Sequence, residues 1–578
     1  MKFPDFVFRD ALLLDVACAL SVHAIYKHYE PDDASLLLVH FLLLIVIPAL
    51  PAVSFLPHFQ GSVEAAITCA YLLFYLALVM SIVLYRISPW HSLAKYPGPF
   101  PAKITKLWGA FTMAKGKNHI ILKKLHEKYG PYVRIGPNEI SVLDASAISG
   151  ILGADGMPKG PMWSARVSEG GAPSLISMRS VHEHAKRRKR WNRAFNSAAV
   201  KGYEPVVQKR ALQLVDELEK RSTRNGVVSV CLSQWLSYFT TDFMGDMAFG
   251  GGFELMRDGG DKDGIWTVIE SGLRNASILQ HIPWLIPLLR KFPFLNRASL
   301  EVREFGQKRV LARKANGSLT KDLFYHLIDE EHVEPVPPTD KEIISDGVLA
   351  IIAGSDTTST TLSGLFYYLL SNPLEYKRLQ SEIDTAFPPG EGDPFDTTKL
   401  AEMPFLNAVI NESMRLQPPV PTYLQRAPEA GSRGKWIGDH FITEGTAVVV
   451  PLYVLFRNPA YFSPSPDTFW PDRWLHHNAV KRTPHSAASE PKVPLSKPES
   501  DSEVITNMAA FIPFSYGPAH CAGRALALME MRMVVALIMQ RFEFQFADDY
   551  NPNDWEEHLE DYFVLCNGPL RVKLTPRT

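Results

Sequence analysis

The stretch Phe514-Ser-Tyr-Gly-Pro-Ala-His-Cys-Ala-Gly-Arg524 places one cysteine, Cys521, between two glycines and directly before a helical pattern. Gly517 and Gly523 permit tight turns and a close approach of the backbone to a flat group. A helix that begins after Cys521 points free N–H groups and the positive end of its dipole at the sulfur, which lowers the pKa of a thiol. An isolated cysteine before a helix is more often inert than a metal ligand, so further motifs are needed to identify Cys521 as a ligand.

Around this loop the sequence predicts long helices. Thr339-Asp-Lys-Glu342 has the pattern of a capping box, and the helical pattern that follows ends at Asn372-Pro373. A helix of about 32 residues is about 48 Å long. Small and hydroxyl residues are concentrated at its centre, between Ala353 and Thr361. A long helix with such a polar centre usually borders a site.

The other elements predict the fold class. A second helix covers Pro404–Leu416, and a third follows Cys521. Short strands are predicted at Tyr132–Ile135, Glu139–Leu143 and Thr446–Val450. The sequence contains neither GxGxxG nor GxxxxGKS, the patterns of nucleotide-binding α/β folds. The body is therefore predicted to be mainly α with small β-sheets.

Three apolar segments precede this body, at residues 11–26, 35–56 and 65–85. The third has no formal charge and is as long as the roughly 20 residues that cross a bilayer. Arg86 follows it directly, and basic residues after a span favour the cytoplasmic side. The first segment contains Asp15 and is also compatible with a position in the membrane interface. The sequence is thus compatible with either two or three transmembrane helices.

The chain divides into four regions by composition. Residues 1–95 are predicted to be a membrane anchor, and the proline-rich residues 96–102 a stiff linker. The catalytic body is expected at 103–578. Residues 476–507, rich in Ser, Pro, Lys and Glu, are predicted to form a mobile insertion in that body.

Overall composition excludes several classes of protein. The formal net charge is -1, from 60 basic and 61 acidic side chains, which gives no argument for a nucleic-acid partner. The five cysteines are odd in number, far apart and without a CxxC pair. Disulfide scaffolds, zinc fingers and iron–sulfur proteins are therefore poorly supported.

The cysteine loop resembles the haem loop of the cytochrome P450 family, F-x-x-G-x-R-x-C-x-G. Phe514, Gly517, Cys521 and Gly523 match the family pattern. The resemblance implies haem b as the cofactor, with the Cys521 thiolate as the axial ligand of the iron. The loop departs from the pattern at Ala519, where the family usually has an arginine that meets a haem propionate. That departure puts one propionate contact in doubt.

Two further segments are similar to family motifs that stabilise the fold. Glu412-Ser-Met-Arg415 resembles the E-x-x-R motif. Phe469-Trp-Pro-Asp-Arg473-Trp474 resembles the segment whose arginine joins that pair. The resemblance implies a buried structural cluster of Glu412, Arg415 and Arg473.

The fourth similar segment is Ala353-Gly-Ser-Asp-Thr-Thr358, on the long helix. It resembles the family's A/G-G-x-D/E-T-T motif. The resemblance implies that Asp356 and Thr357 deliver protons during oxygen activation. His184 and Arg188 in HEHAKRRKRW, with Arg426 after the ExxR helix, are the candidate contacts of the haem propionates.

These matches span almost the whole chain after the anchor and imply an enzyme. The expected activity is insertion of one oxygen atom from O2 into a lipophilic small molecule. Electrons are expected from a separate NADPH–cytochrome P450 reductase, because no flavin or nicotinamide motif is visible. The expected location is the endoplasmic reticulum membrane, with the body in the cytosol. The long anchor and the haem loop with alanine are similar to fungal members that tailor secondary metabolites, often terpenoids.

Two other functions remain alternatives. One is a haem-thiolate isomerase or dehydratase that needs no O2, and the other is a haem-binding sensor without catalysis. Asp356 and Thr357 argue against both, because neither function needs a proton relay. Dependence of turnover on NADPH and reductase separates the first alternative from a monooxygenase.

Overall fold

The computed structural model describes residues 7–29, 37–167, 170–224, 228–251, 253–289, 293–317, 320–389, 392–475 and 504–577. Most of the predicted insertion at 476–507 lies outside these residues. The described chain forms an N-terminal bundle (residues 8–87) and a larger body that is mostly helical, as predicted.

Helices supply the framework of both parts. The α-helices are α1 (Phe8–Tyr29), α2 (Leu37–Phe41), α3 (Ile47–Ala49), α4 (Ala52–Phe55), α5 (Val63–Ile87), α6 (Phe100–Ile104), α7 (Leu107–Ala114), α8 (Asn118–Tyr129), α9 (Ile148–Leu152), α10 (Val181–Ala194), α11 (Ser197–Arg224), α12 (Leu232–Phe249), α13 (Leu255–Asp258), α14 (Ile265–Leu279), α15 (Ile286–Leu289), α16 (Pro293–Asn316), α17 (Leu323–Leu327), α18 (Asp340–Ser371), α19 (Pro373–Ala386), α20 (Thr397–Glu402), α21 (Pro404–Leu416), α22 (Leu452–Leu455), α23 (Arg524–Arg541) and α24 (Trp555–His558). Tighter turns of 3₁₀-helix include Pro161–Arg166 and Gly517–Ala519.

Short strands form small sheets at the edges of the body. The strands are β1 (Tyr132–Gly136), β2 (Glu139–Val142), β3 (Val228–Cys231), β4 (Gly434–Ile437), β5 (His440–Thr443), β6 (Ala447–Val449), β7 (Phe462–Ser463), β8 (Ile505–Thr506), β9 (Phe542–Phe546), β10 (Glu560–Tyr562), β11 (Val564–Cys566) and β12 (Arg571–Pro576). The sheets have the orders β1-β2-β6, β3-β12-β9, β4-β5, β7-β8 and β10-β11. The three predicted strands are therefore present as β1, β2 and β6, and they form one sheet with β2 in the middle.

The long helix α18 runs through the main hydrophobic core. Its predicted capping box is confirmed: Glu342 N–H donates to Thr339 Oγ1 at 3.4 Å, and Thr339 N–H donates to the Glu342 carboxylate at 3.0 Å. Across its middle, α18 packs along α12. Ser355 links the two helices by donating to the carbonyl of Thr240 at 3.3 Å. This contact holds the polar centre of α18 in a fixed position.

The N-terminal bundle contains two segments, Leu38–Phe59 and Val63–Ile87, that are long and apolar enough to cross a membrane. They correspond to the predicted segments 35–56 and 65–85. Helix α1 runs alongside α5 in the same direction. At one end the Phe8 ring packs against Phe55, with ring centroids 5.7 Å apart. At the other end the Lys27 ammonium lies 4.0 Å from the centre of the Tyr85 ring. Helix α1 therefore extends beside α5 from one end of the bundle to the other.

A carboxyl group lies inside this bundle. Asp15 of α1 is fully buried, and neither of its carboxyl oxygens has a hydrogen-bond partner among the described residues. Ala11 and Ala19, one turn before and after it, are fully buried on the same face. These small side chains let α1 lie close to the neighbouring helices.

The prediction of a non-helical linker at 96–102 is partly wrong. Helix α6 begins at Phe100 inside it, because Pro101 lies in the first turn, where the missing N–H of proline leaves no hydrogen bond unmade. The linker also contacts the body directly. A Cβ atom on Gly98 would lie 2.1 Å from the carbonyl oxygen of Arg134, so glycine permits this close approach to β1.

Candidate active site

The loop around Cys521 is a tight turn that only glycine permits at one position. Gly517 adopts a φ of +72°, and a Cβ atom there would lie 2.1 Å from the carbonyl oxygen of Leu152. The Cys521 N–H donates to the Phe514 carbonyl at 2.8 Å and closes the turn. Helix α23 then begins at Arg524, as the sequence predicted.

The expectation that this loop lowers the pKa of Cys521 is wrong. Burial raises the pKa of the thiol, and the Gly523 N–H, Arg188 and Arg524 offset that rise only in part. The predicted N–H donor is present, but desolvation of the anion outweighs it. A metal ion on the sulfur reverses the balance, because a coordinated thiol is deprotonated outright.

A cavity of about 630 Å³ adjoins Cys521. It draws on segments that are far apart in the sequence, including the cysteine loop, α10, α18 and the turn between β10 and β11. Its lining includes seven of the nine predicted catalytic and cofactor-binding residues: Thr357, His184, Arg188, Arg426, Phe514, Cys521 and Gly523. Asp356 and Gly517 do not line it. Apolar side chains such as Ile352 and Val564 cover much of the remaining wall.

One end of the cavity is lined by basic side chains. His184, Arg188 and Arg426 lie there, largely buried, together with Lys159, which the sequence analysis missed. Burial lowers the pKa of Lys159 well below its usual value, and Arg426 and Arg188 lower it further. Burial, aided by Lys159, also lowers the pKa of His184 to about 3. A lone lysine in the segment MPKGP belongs to no motif, so no sequence pattern indicated its role.

Ala519 leaves the cavity without the arginine that the family pattern has there. His520 does not take its place, because its Nδ1 lies 2.8 Å from the Gly517 carbonyl. The backbone carbonyl of His520 accepts a hydrogen bond from Arg188 Nη1 at 2.6 Å, which orients that guanidinium. Lys159 lines the same cavity.

Glu412, Arg415 and Arg473 lie together and are all fully buried. Arg415 donates to both carboxylate oxygens of Glu412 at 2.9 Å, and Arg473 Nε donates at 3.1 Å. Trp474 Nε1 adds a bond at 3.0 Å to the same carboxylate. Burial raises the pKa of Glu412, but the two arginines more than offset it, so that the pKa lies below its usual value. The cluster joins α21 to the segment before β8.

Asp356 and Thr357 occupy adjacent positions on α18 with different surroundings. Thr357 lines the cavity, and its hydroxyl donates to the Ala353 carbonyl at 2.6 Å. Asp356 does not line it. Burial raises the pKa of Asp356 to about 8, and the carboxylate of Glu270 on α14 contributes to the rise. The Asp356 carboxyl is therefore protonated at neutral pH and has a proton to donate.

These surroundings fit a haem. A cysteine sulfur faces a cavity with apolar walls, and the buried guanidiniums of Arg188 and Arg426 line the same cavity, where they would pair with the two carboxylates of a porphyrin. The fold and this site together define a haem-thiolate protein.

The chain belongs to the cytochrome P450 family. The family model described as Cytochrome P450 matches residues 96–574, which is nearly the whole chain after the N-terminal bundle. Members of this family bind haem through an axial cysteine thiolate. The family assignment agrees with the mainly α fold and its small sheets.

Similar proteins come from fungi. Cytochrome P450 67 of Uromyces fabae is 34% identical over 508 residues, covering 87% of this chain and 89% of that protein. A cytochrome P450 monooxygenase of Fusarium pseudograminearum is 33% identical over 511 residues, covering 87% and 85%. A tryprostatin B 6-hydroxylase of Neosartorya fischeri is 30% identical over 516 residues, covering 88% and 87%. The chain is thus a P450 monooxygenase, and its relatives include a tryprostatin B 6-hydroxylase.

Proposed function

We propose that this protein inserts one oxygen atom from O2 into a lipophilic small molecule, as a tailoring step in secondary metabolism. The observation that carries the proposal is the position of Cys521 and Thr357 on the lining of one cavity. NADPH–cytochrome P450 reductase supplies the electrons. A terpenoid-like precursor suits the apolar part of the lining, and the hydroxylase among the relatives supports a tailoring role.

Several residues of the cavity would hold the haem. Cys521 would bind the iron, and the Gly523 N–H would stabilise the charge on the sulfur. Arg188, Arg426 and Lys159 would pair with the propionates, and His184 would lie beside them. The bound haem supplies the oxygen-activating chemistry.

Protons reach the cavity through α18. The protonated carboxyl of Asp356 lies on the side of the helix toward Glu270, and the hydroxyl of Thr357 lies on the cavity side. Asp356 passes protons to the cavity through Thr357 and water. When the Thr357 hydroxyl turns from the Ala353 carbonyl, it can donate into the cavity.

The N-terminal bundle anchors the enzyme in a membrane. Its two long apolar helical segments support this role, and Arg86 after the second favours a cytosolic body. The endoplasmic reticulum is the proposed membrane, because the reductase has to meet the body at the same surface.

Replacement of the proposed iron ligand tests the function. Cys521→Ala in the full-length chain should abolish the spectrum of a CO-bound haem thiolate and NADPH-dependent product formation with added reductase. The matched control is Cys231→Ala, which removes a cysteine from β3 and should change neither. Retention of both signals in Cys521→Ala would contradict the proposed function.

A further inference from the structure

Arg166 is a cation in the cavity wall without an acidic partner among the described residues. Its Nη2 donates to Gln280 Oε1 at 2.8 Å and to Ser277 Oγ at 3.4 Å. Its Nε is buried without a hydrogen-bond partner. Among the described residues, the contacts of this guanidinium are therefore with neutral groups. Glu169, the acidic residue closest in sequence, lies outside the described residues.

Neutral neighbours hold Arg166 in a fixed position. Its guanidinium lies 4.0 Å from the centre of the Phe563 ring. Phe563 adopts a φ of +77° between β10 and β11 and packs edge-on against Trp163, with ring centroids 5.6 Å apart. Ser277 is fixed in turn, because its hydroxyl donates to the Tyr562 carbonyl at 2.7 Å. The cation is thus preorganised before any ligand arrives.

Arg166 belongs to a different part of the cavity from the proposed propionate contacts. The backbone of Lys159 pairs with that of Arg426 in an isolated β-bridge, whereas Arg166 contacts Gln280, Ser277 and Phe563. Its contacts come from α14 and from the turn between β10 and β11. A haem held by Cys521 therefore has other partners for its carboxylates.

Arg166 is partly buried, and no described residue offers it a carboxylate. Burial lowers the pKa of Arg166 to about 10, so the group still carries its charge at neutral pH. A desolvated cation in the wall of a binding cavity is stabilised by an anionic partner, and such a partner can arrive with the ligand.

We propose that Arg166 binds a carboxylate of the substrate, so that the substrate is an amphipathic acid whose apolar part extends toward Cys521. This inference rests on the proposed function and narrows its substrate class. A guanidinium donates strong, charge-assisted hydrogen bonds to a carboxylate, and no described residue accepts one from Arg166 Nη1. One cation matches the single charge of a carboxylate.

A matched pair of probes tests the proposal on the full-length, haem-loaded protein. Dodecanoic acid is ionised at neutral pH, and methyl dodecanoate has a similar apolar chain without the charge. Binding is measured by the shift of the haem absorbance and by equilibrium dialysis. Wild type should bind the acid about 10- to 100-fold more tightly than the ester, as expected for a charge-assisted hydrogen bond in a desolvated site.

Arg166→Gln should remove this preference and leave the affinity for the ester within about 2-fold, and Arg166→Lys should restore part of the preference. Arg303→Gln, at another arginine of the cavity wall, controls for the general positive potential and should keep the preference. The proposal is overturned if wild type does not prefer the acid, if Arg166→Gln still does, or if Arg303→Gln loses the preference equally.

Thermal unfolding separates a binding role from a structural one. Arg166→Gln should leave the unfolding temperature unchanged or raise it, because it removes an unpaired charge. A lower unfolding temperature together with equal weakening of both probes would overturn the proposal in favour of a structural arginine. The CO-bound spectrum is measured in parallel. If it is that of a haem thiolate but the acid preference is absent, only the substrate class fails.

Discussion

At the scale of single residues, Glu412 shows how much one buried charge can contribute to stability. It accepts hydrogen bonds from Arg415, Arg473 and Trp474 with all of these side chains buried. Glu412→Gln keeps the shape but leaves two guanidiniums without a counter-charge. We expect a loss of about 3–5 kcal/mol in the free energy of unfolding, measured by urea unfolding.

The control for this substitution is an exposed ion pair. Lys308 lies 2.9 Å from Glu304 on the surface of α16. Lys308→Ala should cost less than about 1 kcal/mol, because solvent screens such pairs. A similar cost for both substitutions would contradict a special role of the buried cluster.

Asp356 gives a prediction about pH. The pKa of its carboxyl is raised from 3.8 to about 8, so between these values the folded protein keeps a proton that the unfolded chain has lost. The stability of wild type should therefore fall as pH rises through this window, by up to about 1.4 kcal/mol per pH unit from this group. Asp356→Asn is neutral throughout and lacks this component.

Urea unfolding of both proteins at about pH 5, 6.5 and 8 measures the contribution of Asp356. The stability of Asp356→Asn relative to wild type should increase with pH. A difference that stays constant over this range would show that the carboxyl has an ordinary pKa. Product formation by Asp356→Asn should also fall, by about 100-fold if the group relays protons.

The sequence predicted residues that belong to contiguous motifs, and it missed those that only the folded chain brings together. Glu412, Arg415 and Arg473 could be paired in advance because their motifs resemble those of the family. Lys159 and Arg166 could not, since their roles depend on a cavity assembled from distant segments. The pKa of Cys521 was predicted in the wrong direction, because the local donors were visible in the sequence and the extent of burial was not.

At the scale of elements, the start of α18 can be tested apart from its centre. Thr339→Ala removes the hydroxyl that accepts from the Glu342 N–H. We expect a loss of about 0.5–2 kcal/mol in the free energy of unfolding, because the first turn loses one of its few partners. Thr339→Ser keeps the hydroxyl and should retain most of the stability. Equal losses in both variants would show that the methyl group, and not the cap, matters.

Elements with strong local signals were predicted well. The capping box, the proline at the start of α21 and the short strands β1 and β2 each have a cause within a few residues. Helix α6 was missed because the density of prolines suggested an extended chain. Its single helical turn is possible because Pro101 lies at a position where a helix tolerates proline.

At the scale of the whole molecule, the direction of α1 predicts the position of the N-terminus. Since α1 runs parallel to α5 over its full depth, its first residues lie at the opposite end from the body. In sealed microsomes, added protease should remove a tag on the C-terminal body and spare a tag placed before Met1. Detergent should expose both tags. Digestion of the N-terminal tag in intact vesicles would contradict a third transmembrane helix.

The buried carboxyl of Asp15 has a consequence for how such an enzyme is assembled. A helix that carries an acid at its middle is a poor resident of hydrocarbon when alone, because no lipid tail can solvate that group. In the bundle, neighbouring helices enclose it. We therefore expect α1 to enter a bilayer only together with α5 and the segment Leu38–Phe59, as one cooperative assembly instead of three independent tethers.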